Sequence, residues 1–125
     1  MGAHNLKAIL AGIPAGEITT AEQDAAAFPR LASFDSGAVY VGRLAGQSPW
    51  ECHPDADELL HILEGEVEVT LFRDYGPEIE IVSAGSVIVV PKGIWHRQLA
   101  LPTVALLAVT PDNSLISFAD DPRKE

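Results

Sequence analysis

Four side chains that can bind a metal ion or transfer a proton occur in two short segments of the chain. Glu51, His53 and Glu58 lie in the first segment, and His96 lies in the second, just after Pro91-Lys92-Gly93. Carboxylate oxygens and imidazole nitrogens are ligands for divalent transition metals. The two segments therefore predict one metal site, provided that the fold brings them together.

The pattern of the first segment predicts which of its side chains point into the same space. Side chains alternate between the two faces of a strand, so Glu51 and His53 share a face and Cys52 points away from it. The Pro and Asp residues of Pro54–Asp57 favour a tight connection, which would bring Glu58 close to His53.

The second segment predicts a matching contribution from a later strand. His96 begins this strand after a turn, and Gln98 shares its face. If the strands line a small barrel, Glu51, His53, Glu58 and His96 converge near one mouth. Buried charged groups are costly unless they are paired or bind metal, and a divalent cation would remove this cost.

The elements that must position these residues are short strands. Val67, Val69 and Leu71 alternate with polar residues at a period of two. We predict strands at 38–44, 49–53, 58–63, 66–71, 78–82, 86–90, 96–101 and 103–109, with a turn at 64–66 and with 86–90 buried. Many short strands between turn signals predict an all-β fold, namely a small antiparallel β-barrel or sandwich.

The flanking segments differ in composition from this β-rich centre. We predict an N-terminal arm over 1–35 that packs on a barrel over 36–112, followed by a tail over 113–125. Thr20 resembles the start of a capping box, and it predicts a short helix that runs to about Ala27 before Pro29 stops it.

The composition limits the classes of partner. The chain has 125 residues and a net charge of −10, which fits one domain and argues against a nucleic acid as partner. No run of apolar residues is long enough for a membrane span, and the N-terminus lacks the pattern of a secretory signal. We therefore expect no membrane association and a cytoplasmic location. Cys52 is the only cysteine, so no internal disulfide can form.

Both segments resemble the two motifs of the cupin superfamily. The matching residues of the first motif are His53, Glu58 and Gly65, and those of the second are Gly85, Pro91, Gly93 and His96. The resemblance covers roughly 42–109 and implies a jelly roll, or double-stranded β-helix, that commonly binds a transition metal. Two positions depart from the pattern, because Glu51 replaces the first histidine and Ala100 replaces the final asparagine.

The replacement at Glu51 leaves two ligand sets open. The metal could be held by His53, Glu58 and His96 with Glu51 as a fourth ligand, or by the first three alone. A set of two histidines and one carboxylate with open positions is typical of non-haem Fe(II) oxygen chemistry. We predict one divalent metal per chain, and Fe, Mn and Zn all remain open.

Two functions follow from this site. The first is an enzyme on a small organic substrate, with dioxygenase-, isomerase- or lyase-type chemistry, in which an unligated Glu51 acts as general base and Gln98 orients the substrate. The second is a non-catalytic module that binds a small molecule or sugar and has a structural or vestigial metal site. We also predict a homodimer through an outward apolar face formed by Trp50, Leu59, His61, Leu63 and Trp95.

Overall fold

The computed structural model describes residues 2–124, which form an antiparallel sheet that curls into a barrel of the predicted jelly-roll type. The helices are α1 (Leu6–Ala11), α2 (Ala21–Ala27) and a 3₁₀ helix (Pro122–Lys124). The strands are β1 (Arg30–Phe34), β2 (Gly37–Gln47), β3 (Trp50–Cys52), β4 (Glu58–Arg73), β5 (Gly76–Ser83), β6 (Val87–Val90), β7 (Trp95–Pro111) and β8 (Leu115–Ser117). Within 2–124, every helix is too short or too polar to cross a membrane.

Two long strands, β4 and β7, connect the parts of the sheet. They pair with each other from Leu59 opposite Val109 to Phe72 opposite Trp95. β7 also pairs with β2 and β3, while β4 pairs with β5 along its second half and with β6 at its start. The start of β7 pairs with β3, and the start of β4 lies close to the end of β3, since Glu58 Oε2 is 3.4 Å from His53 Nε2.

The predicted turn at 64–66 is wrong, because β4 continues through it. The register of β4 against β7 shifts on both sides of Gly65, so the strand bulges there and does not reverse. Gly65 has φ 76°, and a Cβ atom at this position would lie 2.2 Å from the carbonyl oxygen of Thr103. The pairing of Val67 with Ala100 beyond the bulge keeps the strand in the sheet. The two last predicted strands likewise form one strand, β7.

The prediction that β6 is buried holds for only one of its two faces. Val87 and Val89 are 56% and 50% exposed, because β6 pairs only with β4 and lies at an edge of the sheet within 2–124. Val87 and Val89 therefore cover an outer surface, whereas Val90 on the opposite face is 1% exposed and belongs to the barrel core.

The barrel interior is filled by the inward side chains of the long strands. Leu60 and Ile62 are fully buried, whereas Leu59 between Glu58 and Leu60 is 36% exposed, as strand alternation requires. The main core cluster consists of Ile18, Leu44, Leu60, Ile62, Val67, Val69, Leu71, Val82, Val90, Ala100, Val104, Leu106 and Ala108. A smaller cluster joins Leu10 of α1 to the outer surface of the sheet.

The flanking segments each add a strand to the sheet. β1 pairs with β2 and lies inside the range predicted as an arm, and β8 pairs with β3 and lies inside the predicted tail. The helix from Thr20 to Ala27 is confirmed, with Thr20 Oγ1 accepting from the Gln23 backbone N–H at 3.1 Å. The division into arm, barrel and tail stays a prediction.

Trp50 does not belong to an exposed face. Its side chain is buried, its indole N–H donates to the carbonyl of Asp120 at 3.2 Å, and the Arg97 guanidinium lies 4.3 Å from its ring centre. Leu63 is partly buried, because it packs against the cluster formed by Leu10, Val41 and Ala105. Both residues were predicted to face a second copy, and the chain itself covers them.

Candidate metal centre

Three strands bring the four predicted side chains together at one end of the barrel. Glu51 lies in the middle of β3, directly opposite His96 near the start of β7. His53 follows β3, and Glu58 is the first residue of β4. One ligand atom from each of the four residues can be chosen so that all lie within 4.8 Å of one another. A single ion could therefore contact all four side chains.

The cluster is largely withdrawn from solvent. His53 and His96 are each 2% exposed, and Glu58 is 4% exposed. His53 Nε2 lies 3.4 Å from Glu58 Oε2 and 3.7 Å from Glu51 Oε2. His96 Nε2 lies 3.0 Å from Glu58 Oε1. Glu51 is the most accessible member, with 24% of its side chain exposed.

The hydrogen bonds of His53 determine which ring nitrogen faces the cluster. Its Nδ1 lies 2.7 Å from Ser114 Oγ, and that hydroxyl donates to the carbonyl of Pro111 at 3.2 Å. A hydroxyl has one proton, so Ser114 accepts from an Nδ1–H group of His53. The Nε2 atom of neutral His53 therefore carries a lone pair, and it is buried with no hydrogen-bond partner.

His96 has the same arrangement with a backbone partner. Its Nδ1 lies 3.2 Å from the carbonyl oxygen of Ile94, which can only accept a proton. Neutral His96 therefore presents a lone pair at Nε2 toward Glu58 Oε1, and two acceptors at 3.0 Å need a cation or a proton between them. The other oxygen of Glu58 accepts from Thr110 Oγ1 at 2.6 Å, which orients the carboxylate.

The ligand atoms of His53, His96 and Glu58 fit a divalent metal ion. Two imidazole lone pairs and the Glu58 carboxylate converge, and each is oriented by a hydrogen bond to a further group, as is usual for metal ligands. The unpartnered Nε2 of His53 is the clearest sign, because a buried acceptor without a partner is costly. The set of two histidines and one carboxylate suits Fe, Mn or Zn.

The ionisation of the metal-free cluster is strongly perturbed. Burial and the nearby Glu58 carboxylate raise the pKa of Glu51 to about 8. Burial would also raise the pKa of Glu58, but the imidazoles of His53 and His96 outweigh it and lower the value to about 2. Burial would lower the pKa of His96, yet the hydrogen bond and charge of Glu58 raise it. Glu51 is thus the carboxyl group of the cluster that most readily holds a proton.

A cavity of about 400 Å³ lies beside the cluster. Glu51, Glu58 and Gln98 line it, so it reaches the metal ligands and the polar residue predicted to orient a substrate. The arm contributes Asp24 of α2, whose pKa is raised by burial and by the charge of Glu58. This volume falls within the usual range for small-molecule sites.

The sequence pointed to Glu51, His53, Glu58, His96 and Gln98, and the structure places all of them at or beside this cluster. It did not point to Ser114, Thr110 or Asp24, which come from the tail, the end of β7 and α2. Only the alternation of Thr110 with inward-facing Ala108 on β7 could have indicated one of these residues.

Comparisons with known proteins agree with the motifs. The family described as Cupin domain matches residues 42–105. The uncharacterized protein YdbB of Bacillus subtilis (strain 168) is 33% identical over 67 residues, which cover 54% of this chain. The chain spans 57% of YdbB and a smaller share of the other curated relatives that it matches.

Solved structures show the same fold at low identity. A protein from Neisseria meningitidis has a TM-score of 0.66 at 23% identity, covering 88% of this chain and 99% of that chain. The hydroquinone 1,2-dioxygenase PnpCD, in complex with Cd²⁺ and 4-hydroxybenzonitrile, has a TM-score of 0.61 at 20% identity, covering 81% of this chain and 82% of its own. With the family match over 42–105 and both motifs gathered at one site, the chain belongs to the cupin family.

Proposed function

We propose that this protein is a metal-dependent enzyme that acts on a small organic molecule at a mononuclear site. The observation that carries the proposal is the buried Nε2 lone pair of His53, which has no hydrogen-bond partner and points at Glu58. The adjacent cavity of about 400 Å³ gives a substrate access to the site. PnpCD, which shares the fold, was solved with a metal ion and a small aromatic ligand.

The proposed ligands are His53, Glu58 and His96. Ser114 and the Ile94 carbonyl hold the two imidazoles with Nε2 toward the ion, and Thr110 holds the Glu58 carboxylate. When bound, such a metal polarises a substrate oxygen or binds O₂ in an open position. Fe, Mn and Zn fit this set, and iron would match the dioxygenase-type reaction.

Glu51 has a separate proposed role as the group that transfers a proton. It is the most exposed member of the cluster, and it lines the cavity. Its access to the cavity allows it to accept a proton from a substrate and to return it. Gln98, whose Oε1 is buried without a partner, would orient the substrate from the same cavity.

Elemental analysis of protein purified without added metal or chelator tests the metal site. We expect about one Fe, Mn or Zn ion per chain, lost in His53→Ala and in His96→Ala. His4→Ala is the matched control, because it removes an imidazole that is exposed and outside the cluster. A wild-type protein that binds none of these ions tightly would refute the proposal.

Turnover of a small-molecule panel separates the enzyme from a binding module. Glu51→Gln should keep its metal and lose most of its turnover, with a changed pH profile for what remains. Metal-loaded wild-type protein that binds small molecules and converts none of them would favour the non-catalytic module.

We also propose a homodimer through the outer surface of β4, β6 and β7. Leu59 lies beside Val89 on one side and Val109 on the other, and His61 pairs with Val87. Leu59, Val87 and Val89 are exposed, and a contiguous apolar surface of this kind favours association with a second copy.

We also retain the cytoplasmic location that the sequence predicts as a proposal.

Light scattering tests the oligomeric state. We expect twice the chain mass of 13.3 kDa for the wild type and a monomer for Val89→Glu. Ile81→Glu is the control, because Ile81 is 58% exposed but lies on β5. A monomeric wild type would refute the dimer.

A further inference from the structure

We propose that the cavity selects uncharged or cationic small molecules that carry an O–H or N–H group beside an apolar body, and that Asp24 excludes carboxylates. The inference rests on the proposed function, since it names the substrate class of the same site. It assigns to α2, outside the two motifs, a role in specificity.

The walls of the cavity are mainly apolar. Phe28, Leu44, Leu60 and Leu106 line it, together with Ile18 from the segment before α2. A ligand that fills this space must therefore bury an apolar body, and the volume of about 400 Å³ suits a single substituted ring.

Three of the polar side chains that line the cavity, those of Asp24, Glu51 and Gln98, carry hydrogen-bond acceptors. Gln98 Oε1 is buried and has no donor, and the carboxyl groups of Asp24 and Glu51 line the same space. A ligand with an O–H or N–H group can donate to these oxygens, whereas a carboxylate offers only further acceptors. The unpartnered Gln98 oxygen can accept from such a donor.

The charged residues around the cavity also disfavour an anionic ligand. Among its lining residues within 2–124, Arg30 is the only lysine or arginine, and its guanidinium lies 3.9 Å from the Asp112 carboxylate. Four carboxyl groups line the cavity, namely those of Asp24, Glu51, Glu58 and Asp112, whereas a divalent ion and Arg30 together carry three positive charges. With all four carboxyl groups ionised, one negative charge is left over, and an anionic ligand is repelled.

The backbone of α2 permits a clean test of Asp24. The Asp24 N–H donates to the Thr20 carbonyl and the Asp24 carbonyl accepts from the Phe28 N–H, so these contacts do not use the carboxylate. Asp24→Asn therefore removes the charge and retains the shape and the helix. Glu22→Gln removes one charge from an exposed position on the same helix and serves as the matched control.

Calorimetric binding of three probes of similar size tests the proposal: 4-methylphenol, benzylamine and benzoate. We expect the first two to bind wild-type protein at least about tenfold more tightly than benzoate, as a difference of one unit charge in a partly buried site implies. Asp24→Asn should strengthen benzoate binding about tenfold and weaken benzylamine binding, whereas Glu22→Gln should change neither. Thermal unfolding of each variant confirms that it is folded.

Three results would overturn the inference: benzoate that binds wild-type protein as tightly as 4-methylphenol, a Glu22→Gln variant that shifts benzoate binding as much as Asp24→Asn, or no binding of any probe. The measurements are made on protein as purified and after loading with Zn²⁺, with metal content determined on each sample. If the protein binds no metal but still prefers 4-methylphenol and benzylamine to benzoate, only the proposed function is refuted. Bound metal with a preference for benzoate would refute only this inference.

Discussion

Ser114 Oγ and His53 Nδ1 lie 2.7 Å apart, although 61 positions of the chain separate the two residues. Because the serine hydroxyl donates to the Pro111 carbonyl, it accepts from the imidazole and leaves Nε2 of His53 free toward the cluster. A residue beyond the last long strand thus determines which nitrogen of a proposed ligand can bind metal.

Ser114→Ala should lower metal affinity by about 10–100-fold, because the imidazole of His53 loses the group that orients it. Competition with a chromophoric chelator at fixed pH measures this change. Ser86→Ala, at an exposed turn, should leave the affinity unchanged. Equal affinities of Ser114→Ala and wild-type protein would show that the hydrogen bond does not orient the ligand.

Glu51→Gln should make the metal-free protein more stable at alkaline pH. Burial and the charge of Glu58 raise the pKa of Glu51 from its ordinary value of 4.5 to about 8. Between these two values the folded protein holds a proton that the unfolded chain has released, so the free energy of unfolding falls as pH rises through this window. Glu51→Gln has no titrating carboxyl at this position, so its free energy of unfolding does not fall in this way. Relative to wild type, it should be higher by roughly a few kcal/mol at pH 8 and nearly equal at about pH 4.5.

Urea unfolding of chelator-treated protein at both ends of this range provides the measurement. Glu80→Gln, which removes an exposed carboxyl on β5, should show no such pH-dependent advantage. If Glu51→Gln is less stable than wild type at pH 8, the carboxyl is ionised and stabilising in the folded protein.

Metal should dissociate as the pH falls below roughly 6, because both imidazoles must be neutral to act as ligands. The Glu58 carboxylate raises the pKa of His96 in the metal-free protein, so protons compete with the metal at higher pH than they would for a free imidazole. Metal content after dialysis across this pH range tests the expectation. Full retention of the ion at pH 5 would indicate that carboxylates dominate the binding.

Gly65→Ala should destabilise the barrel by about 1–3 kcal/mol or more. The backbone at Gly65 has φ 76°, and an added Cβ would meet the Thr103 carbonyl oxygen at 2.2 Å. Gly85 is a suitable control, since it also has positive φ, at 88°, but a Cβ there has no atom within 4 Å. Chemical denaturation should show a clearly larger loss for Gly65→Ala than for Gly85→Ala, and equal losses would exclude the steric contribution.

Alternation along single strands allowed several features to be predicted without tertiary information. Side-chain direction has a period of two, so Glu58, Leu60 and Ile62 share a face wherever the strand lies. The same rule placed Glu51 with His53, and the tight connection between β3 and β4 placed Glu58 next to them. The cluster and the antiparallel fold follow from these short-range relationships together with the two motifs.

Other features depend on which strands pair, and no local pattern contains that information. The Glu64–Glu66 segment has the composition of a turn, yet pairing with β7 keeps it in β4 as a bulge. β6 has the composition of a buried strand, but no element within 2–124 covers its outer face. The composition of a segment is compatible with more than one structure, and the strands that pair with it or cover it in the fold determine which structure forms.

The sequence by itself therefore determined the ligand types, their shared direction and the class of fold, because these depend on residues a few positions apart. Only the tertiary structure decided that Ser114 selects the tautomer of His53 and that Asp24 faces the cavity beside Glu58. Each of these relationships joins segments that are far apart in the chain. Hydrogen bonds and charge interactions act over a few ångströms, so they exist only once the barrel has closed and brought those segments together.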